Sequence, residues 1–158
     1  MTIRTMRPDD REPLHDILNR TGYFTSGEID VAMELIDIGL NRAGQTDYHF
    51  RCIEDKEGRL AGYLCYGQVP LSDRCWDLYW IAVDPARQGQ GLGRAMIRWM
   101  EADLRERRAR KVLIETGGKP AYEATRRFYL QLEYREAARI ADFFAVGDDK
   151  VIFAKDLT

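Results

Sequence analysis

Hydrophobic and polar positions along the chain switch between a period of two and a period near 3.6, and the switches predict the elements. Met1–Met6 alternates as a first strand, and Arg7-Pro8-Asp9-Asp10 ends it. Leu14, Ile17 and Leu18 mark the buried side of a short helix that Thr21-Gly22 closes. Ser26 is the expected N-cap of a second helix, in which Ile29, Ala32, Met33, Ile36 and Leu40 recur at helical spacing as far as Asn41. His49–Glu54 and Leu60–Tyr66 read as strands of a hairpin whose loop, 55–59, carries Gly58.

A loop at 69–74 leads into a strand at Cys75–Val83. Leu92, Ala95, Met96, Trp99 and Met100 then mark the buried face of a long helix. Lys111–Glu115 is a short strand, 116–120 a loop, and Tyr122–Leu132 a helix. Arg135–Ile140 and Lys150–Lys155 form a final antiparallel pair joined by a loop at 141–149. The order is therefore β-α-α-β-β-β-α-β-α-β-β.

Composition narrows the class. The 158 residues suit a single domain, 1–158. A formal charge of −2 with both signs interspersed gives no basic field for nucleic acid or an anionic membrane. The run Arg105–Lys111 falls where the long helix should end, and cations there favour the helix C-terminus. Cys52, Cys65 and Cys75 lack metal spacing and lie within strands, so they read as small apolar residues of a reducing compartment. No secretory leader pattern or membrane-length apolar run is read, so a soluble cytoplasmic protein without a metal, monomeric or homodimeric, is expected.

The strongest chemical signal is the passage from strand to helix at 81–94. After Ile81-Ala82-Val83-Asp84-Pro85 comes Ala86-Arg87-Gln88-Gly89-Gln90-Gly91-Leu92-Gly93-Arg94. A turn that feeds a helix points several backbone N–H groups, and the positive end of the helix dipole, at one spot. The glycines run G-x-G-x-G, not the G-x-G-x-x-G of dinucleotide folds. Gly93 is followed by Arg94, not by the Lys-Ser/Thr of a nucleoside triphosphate loop. Gln88-x-x-Gly91-x-Gly93 resembles the acetyl-CoA signature (Arg/Gln-x-x-Gly-x-Gly/Ala) of the GCN5-related N-acetyltransferase superfamily.

The resemblance implies an α+β, three-layer fold: a mixed, mostly antiparallel seven-stranded sheet with helices on both faces and one splayed parallel pair. It also implies acetyl-CoA as cosubstrate. Gln88, Gly89, Gln90, Gly91, Leu92, Gly93 and Arg94 would hold the pyrophosphate. Ile81, Ala82 and Val83 would pair through the main chain with the pantetheine arm, whose amides behave like a strand. Tyr122 stands where many relatives have an asparagine that binds pantetheine, so this contact is expected to differ. Glu133 replaces the glycine that usually ends the preceding helix and must strain or alter that cap.

Acetyl transfer to an amine requires a neutral amine, a polarised thioester carbonyl and a proton for the leaving thiolate. A lysine-like amine is neutral in only about one molecule in 2,500 at pH 7, a deficit of roughly 4.6 kcal/mol, so the need for a base depends on the acceptor. Tyr129, in Thr125-Arg126-Arg127-Phe128-Tyr129-Leu130, matches the superfamily's proton-donating tyrosine, with Phe128 expected to face the core. Asp77, on the strand ahead of the turn, and Glu115, at the end of the next strand, compete to be the base, with Asp77 placed first. His15 and His49 lie in no motif, which removes a Ser-His or Cys-His nucleophile.

In such folds the acceptor enters beside the loop between the first two helices and the last hairpin. Here these segments offer Tyr23, Phe24 and Glu28, and Asp142 and Phe143 with neighbouring residues. Aromatic faces with carboxylates suit a small cationic amine or an amino-acid-like acceptor. Packing of the last hairpin explains Phe143 equally well. The alternatives are transfer to a protein N-terminus or lysine, and a module that binds acetyl-CoA without catalysis.

Overall fold

The computed structural model describes residues 1–158. In chain order the elements are β1 (Thr2–Arg4), α1 (Arg11–Thr21), α2 (Ser26–Asn41), β2 (His49–Glu54), β3 (Leu60–Gln68), β4 (Cys75–Val83), α3 (Leu92–Glu106), β5 (Lys111–Gly117), α4 (Glu123–Gln131), β6 (Arg135–Ala145) and β7 (Asp148–Asp156). The seven strands form one open sheet in the order β1-β2-β3-β4-β5-β7-β6. The pairs β1–β2, β2–β3, β5–β7 and β6–β7 are antiparallel, and β4–β5 is parallel. This is the mixed sheet that the element order and the resemblance implied. No helix is long and apolar enough to cross a membrane.

Helix ends follow from local chemistry. Gly22 closes α1 in the left-handed region at φ 71°. The N-cap of α2 is Thr25 and not Ser26. Thr25 Oγ1 accepts the Glu28 N–H at 3.2 Å, and Glu28 Oε2 accepts the Thr25 N–H at 2.8 Å. The reciprocal box needs an acid three residues after the cap; Thr25 has Glu28 there, whereas Ser26 has Ile29. At the end of α4 Glu133 adopts φ 70°. Its N–H reaches the Leu130 carbonyl at 3.0 Å and the Tyr134 N–H reaches the Tyr129 carbonyl at 3.1 Å. That pattern is the Schellman cap, built on a residue other than glycine.

The chain packs as two compact units, residues 1–67 with 80–103 and residues 68–79 with 104–158. In the first, Leu14, Ile17 and Leu18 of α1 and Ile29, Ala32, Met33 and Ile36 of α2 share a core with Phe50, Cys52, Tyr63, Cys65 and Ala82. These are the helical stripes read from the sequence. Gly62 lets strands approach closely, because a Cβ there would lie 2.5 Å from the Ala82 carbonyl oxygen. Along α3 the buried stripe is Leu92, Met96, Ile97 and Met100, while Ala95 and Trp99 are only half-buried. The Trp99 ring is kept near the surface with the Arg51 guanidinium 4.7 Å from its centroid. Cys52 and Cys65 are buried as expected, and Cys75 is partly exposed.

The second unit buries Val112, Ile114, Tyr129, Leu132, Tyr134, Val151, Phe153 and Ala154. Its final hairpin is longer than the sequence implied. β6 runs to Ala145 and β7 begins at Asp148, so the expected loop at 141–149 shrinks to a turn at Val146-Gly147. The reason is a bulge: pairing shifts between Ile140 and Ala145, and Asp142 sits at φ 53°. An inserted residue breaks the alternation by which a strand is recognised. Every residue of β6, the edge strand, is exposed.

The strained cap makes a prediction. Replacing Glu133 with Gly relieves the left-handed conformation; the ion pair it removes is long at 3.5 Å and exposed at its Glu133 end, and the buried Lys155 keeps its 2.9 Å bond to the Leu132 carbonyl. Urea unfolding should show a gain of roughly 0.5 kcal/mol after glycine's own entropic cost, whereas Glu133→Ala should show none.

Candidate active site

The strand-to-helix turn is shaped by Asp84 and two left-handed glycines. Asp84 Oδ1 accepts the Ala86 N–H at 3.0 Å, and Pro85–Arg87 make one 3-10 turn. Gly89 and Gly91 both lie at φ 77°, with open space where a Cβ would point. The Gly91 carbonyl accepts the Ala95 N–H at 2.9 Å, which makes Gly91 the residue that opens α3. The amides of Leu92, Gly93 and Arg94 therefore fall in the first turn, where a helix offers no internal acceptor. Gln88, Gly89, Gln90 and Gly91 are exposed, so a large anion can reach this main chain without displacing side chains.

Ahead of the turn, the parallel ladder joins Cys75–Leu78 to Lys111–Ile114. Strand β4 runs on to Val83, through Ile81, Ala82 and Val83, and β5 runs on to Gly117 against β7. Gly117 is needed because a Cβ would lie 2.9 Å from both Asp148 Oδ1 and the Tyr122 ring. Tyr122 itself is half-buried, with Lys119 Nζ 5.3 Å from its ring centroid.

Strand register gathers charge on one face of the second unit. Asp77 aligns with Leu113, and Glu115 lies two residues further along β5, so the two carboxylates share a face. Lys150 aligns with Gly117, again at even spacing, and joins them. Its Nζ bonds Glu115 Oε2 at 3.0 Å and lies 4.4 Å from the Phe143 ring centroid. Burial and the negative charge of Glu115 push the Asp77 carboxyl up to about 6, with Lys150 opposing. Asp77 can thus exchange a proton near neutrality. Lys150 had only its place beside Gly147-Asp148-Asp149 to mark it in the sequence; its pairing with Glu115 is a product of strand register.

Tyr129 is buried between Phe128, Tyr134 and Phe153, with ring centroids at 5.4, 6.1 and 5.7 Å. Burial raises the phenol well above its usual range, so it stays protonated and has a proton to give. Phe128, expected to face the core, is only half-buried. Helix α4 turns Tyr129 towards Phe153 on β7, and that leaves Phe128 at the margin.

The residues expected at the acceptor fall in two groups. In the first unit, Phe24 packs edge-on against Trp80 at 5.3 Å, Tyr23 is exposed, and the Glu28 carboxylate is engaged in the α2 cap. In the second, Asp142 Oδ1 accepts the Gly147 N–H at 2.7 Å and so holds the hairpin turn. Phe143 is half exposed and stacks edge-on with Phe144 at 5.0 Å. Two of the expected carboxylates thus have structural duties, while Phe143 meets the Glu115–Lys150 pair.

Comparison with known proteins agrees with this geometry. The family model described as "Acetyltransferase (GNAT) family" matches residues 11–134. A crystal structure of a protein from Desulfovibrio desulfuricans, described as an acetyltransferase of the GNAT family, is 38% identical, with 99% of both chains covered and a TM-score of 0.93. An aminoglycoside 6'-N-acetyltransferase complexed with coenzyme A is 16% identical (100% of this chain and 98% of that chain covered, TM-score 0.78). The ribosomal-protein-S18-alanine N-acetyltransferase from Escherichia coli is 23% identical (99% and 94% covered, TM-score 0.77). At these lower identities the likeness is one of fold. A search of curated protein sequences finds no match.

The Asp77 cluster predicts a titration and its sign. Carbon-13 NMR of the Asp77 carboxyl should give a midpoint near 6, higher in Lys150→Met and lower in Glu115→Gln. Because the folded value lies above the unfolded value of about 3.9, the folded chain binds the extra proton. The associated stability is full below pH 4 and is lost as pH rises through 6. Asp77→Asn, which stays neutral, should therefore be more stable than the parent at pH 8, by about 1 kcal/mol once solvent screening is discounted, and not at pH 4.

Proposed function

The chain belongs to the acetyltransferase (GNAT) family, whose donor is acetyl-CoA, and we propose that its acceptor is the amine of a small molecule or an amino-acid-like compound. Transfer is by direct attack of that amine on the thioester. The observation that carries this reading is the presence in one unit of two groups that burial raises: Asp77, at about 6, which exchanges a proton near neutrality, and Tyr129, which stays protonated.

In this reading the main-chain amides from Gln88 to Arg94 bind the pyrophosphate, supported by the helix dipole and by the exposure of the turn. Ile81, Ala82 and Val83 offer main-chain groups to the pantetheine, and Tyr122 contributes an aromatic face where an asparagine amide is usual. Asp77 takes the proton of the incoming ammonium, through a water because aspartate is short. The freed nitrogen lone pair forms the C–N bond as the C–S bond breaks, Tyr129 gives its proton to the departing sulfur, and the second proton, shed by the new amide nitrogen, restores the phenol. Phe143 and the Glu115–Lys150 pair line the acceptor side. An ion pair beside an aromatic ring suits an acceptor that carries charge of both signs. Glu28 and Asp142 support their own backbone and act on the acceptor only indirectly.

A second reading is favoured by the fully exposed β6 edge, which can pair with an extended peptide. Transfer to a protein N-terminus or lysine would use that edge.

Kinetics separate the parts. Tyr129→Phe should lower kcat about a hundredfold and leave coenzyme A affinity unchanged; unchanged turnover would sink its role as the acid. For the parent, kcat/KM should rise with pH to a plateau above about 6, and Asp77→Asn should remove that limb while lowering the plateau at least tenfold. A panel of free amines, amino acids and peptides, read by thiol release, should give turnover with a small amine. Turnover of peptides alone would assign the second reading instead.

A further inference from the structure

Immediately before the phosphate turn, a network of buried aspartates and arginines joins three parts of the first unit. Arg87 Nε donates to Asp55 Oδ2 at 2.6 Å, and Arg87 Nη1 donates to Asp84 Oδ2 at 2.6 Å. Asp84 also receives Arg20 Nη1, from the last turn of α1, at 2.8 Å. Asp55, in the β2–β3 loop, receives Arg59 Nε at 3.0 Å and the backbone N–H groups of Glu57 and Arg59 at 2.9 and 3.0 Å. The Asp84 N–H closes the frame on the Ala61 carbonyl at 2.8 Å.

Three observations show what this network acts on. Arg87 directly precedes Gln88, the first residue of the turn. The side chain of Arg87 is 18% exposed, against 52% for Arg20 and 61% for Arg59, and it bonds an aspartate on each side of its fork. It is thus an anchor and not a free cation awaiting phosphate. The turn beyond it is exposed, with open space at both left-handed glycines. The β2–β3 loop and the turn meet across a cavity of about 270 Å³ lined in part by Lys56, Glu57 and Gln90, so charge and not apolar packing couples them. Paired charges set at a fork impose a direction that a hydrophobic contact would not.

We propose that Arg87, held by Asp55 and Asp84, is a positioning residue that presets the Gln88–Gly93 main chain for the cofactor's pyrophosphate. The proposal rests on the reading of that turn as the pyrophosphate site. A preset turn loses less freedom on binding, so the network acts on cofactor affinity and not on the chemical step. The Arg20 bond ties the same turn to α1.

Calorimetry with coenzyme A, and steady-state kinetics with whichever amine is turned over, test this. Arg87→Gln and Asp55→Asn should each weaken coenzyme A binding about tenfold and raise KM for acetyl-CoA, with kcat at saturating donor retained. The double variant should be no weaker than the worse single one, because the two residues act through one contact. Arg87→Lys, which keeps the charge but not the fork, should recover about a third of the affinity. Arg59→Gln, which also leaves Asp55 short of a partner but whose side-chain bonds stay within the β2–β3 loop, should stay within twofold of the parent. Faster amide exchange at 88–93 in the unliganded Arg87→Gln protein is the accompanying signature. If the Arg87 and Asp55 variants bind normally while Gly91→Ala loses tenfold or more, the turn holds its shape unaided and the proposal is wrong. If Gly91→Ala also binds normally, the turn is not the pyrophosphate site and the underlying reading fails with it.

Discussion

The parallel pairing of β4 with β5 is the constraint from which the rest follows. Two parallel neighbours cannot be joined by a hairpin, so the chain must leave the end of β4, cross through a helix and return to the start of β5. Helix α3 is that crossing. Its first turn necessarily carries amides without internal acceptors, at the mouth of a strand. Gly89 and Gly91 supply the left-handed backbone that makes the entry tight, and neither has a side chain to cover those amides. A surface of main-chain amides without internal acceptors is thus a consequence of the topology, and the glycines keep it open.

The same pairing decides where charge accumulates. Registering Asp77 against Leu113 and Gly117 against Lys150 places two carboxylates and an ammonium on one face of the sheet. Burial alone would disfavour ionised Asp77, and Glu115 adds to that; Lys150 opposes it and stops the carboxyl near 6, a useful value for a base. Tyr129 feels burial without a compensating cation and remains a phenol. Burial therefore shifts both groups in the same direction, towards the protonated form.

Charge also serves as mortar. The buried Asp55 and Asp84 hold separate segments through arginine forks, and Asp10 does the same at the other end of β1–α1 with Arg4, whose Nη1 bonds its Oδ2 at 2.8 Å. Each aspartate accepts backbone N–H groups as well as guanidinium, which offsets the cost of burying it. Burial works against ionisation of Asp10 and Asp84, yet the arginines and N–H groups hold both below the usual carboxylate range.

Much of this was legible in the linear sequence because it depends on neighbours in sequence. The α1 and α2 stripes, β2 and β4, and the Gln88–Gly93 turn rest on periodicities of two and 3.6 and on glycine spacing, and the structure reproduces them. Glu133 announced an atypical cap for the same reason. Where local rules compete, the reading slipped: the cap went to Thr25 because Glu28 stood three residues beyond it, and the Asp142 bulge hid the second half of β6. Partners distant in sequence left no local signal. Asp77 and Glu115 could be named as candidates, but only strand register placed them with Lys150 on one face and set their proton affinities. Arg87 carried no signal of its own in the sequence, and folding brought Asp55 to it from more than thirty residues away. Backbone conformation is dictated over a few residues, whereas electrostatic environment is a sum over everything folding brings within a few ångströms. The sequence by itself therefore determined the fold, the turn and the donor class, and tertiary structure alone decided which charges act together.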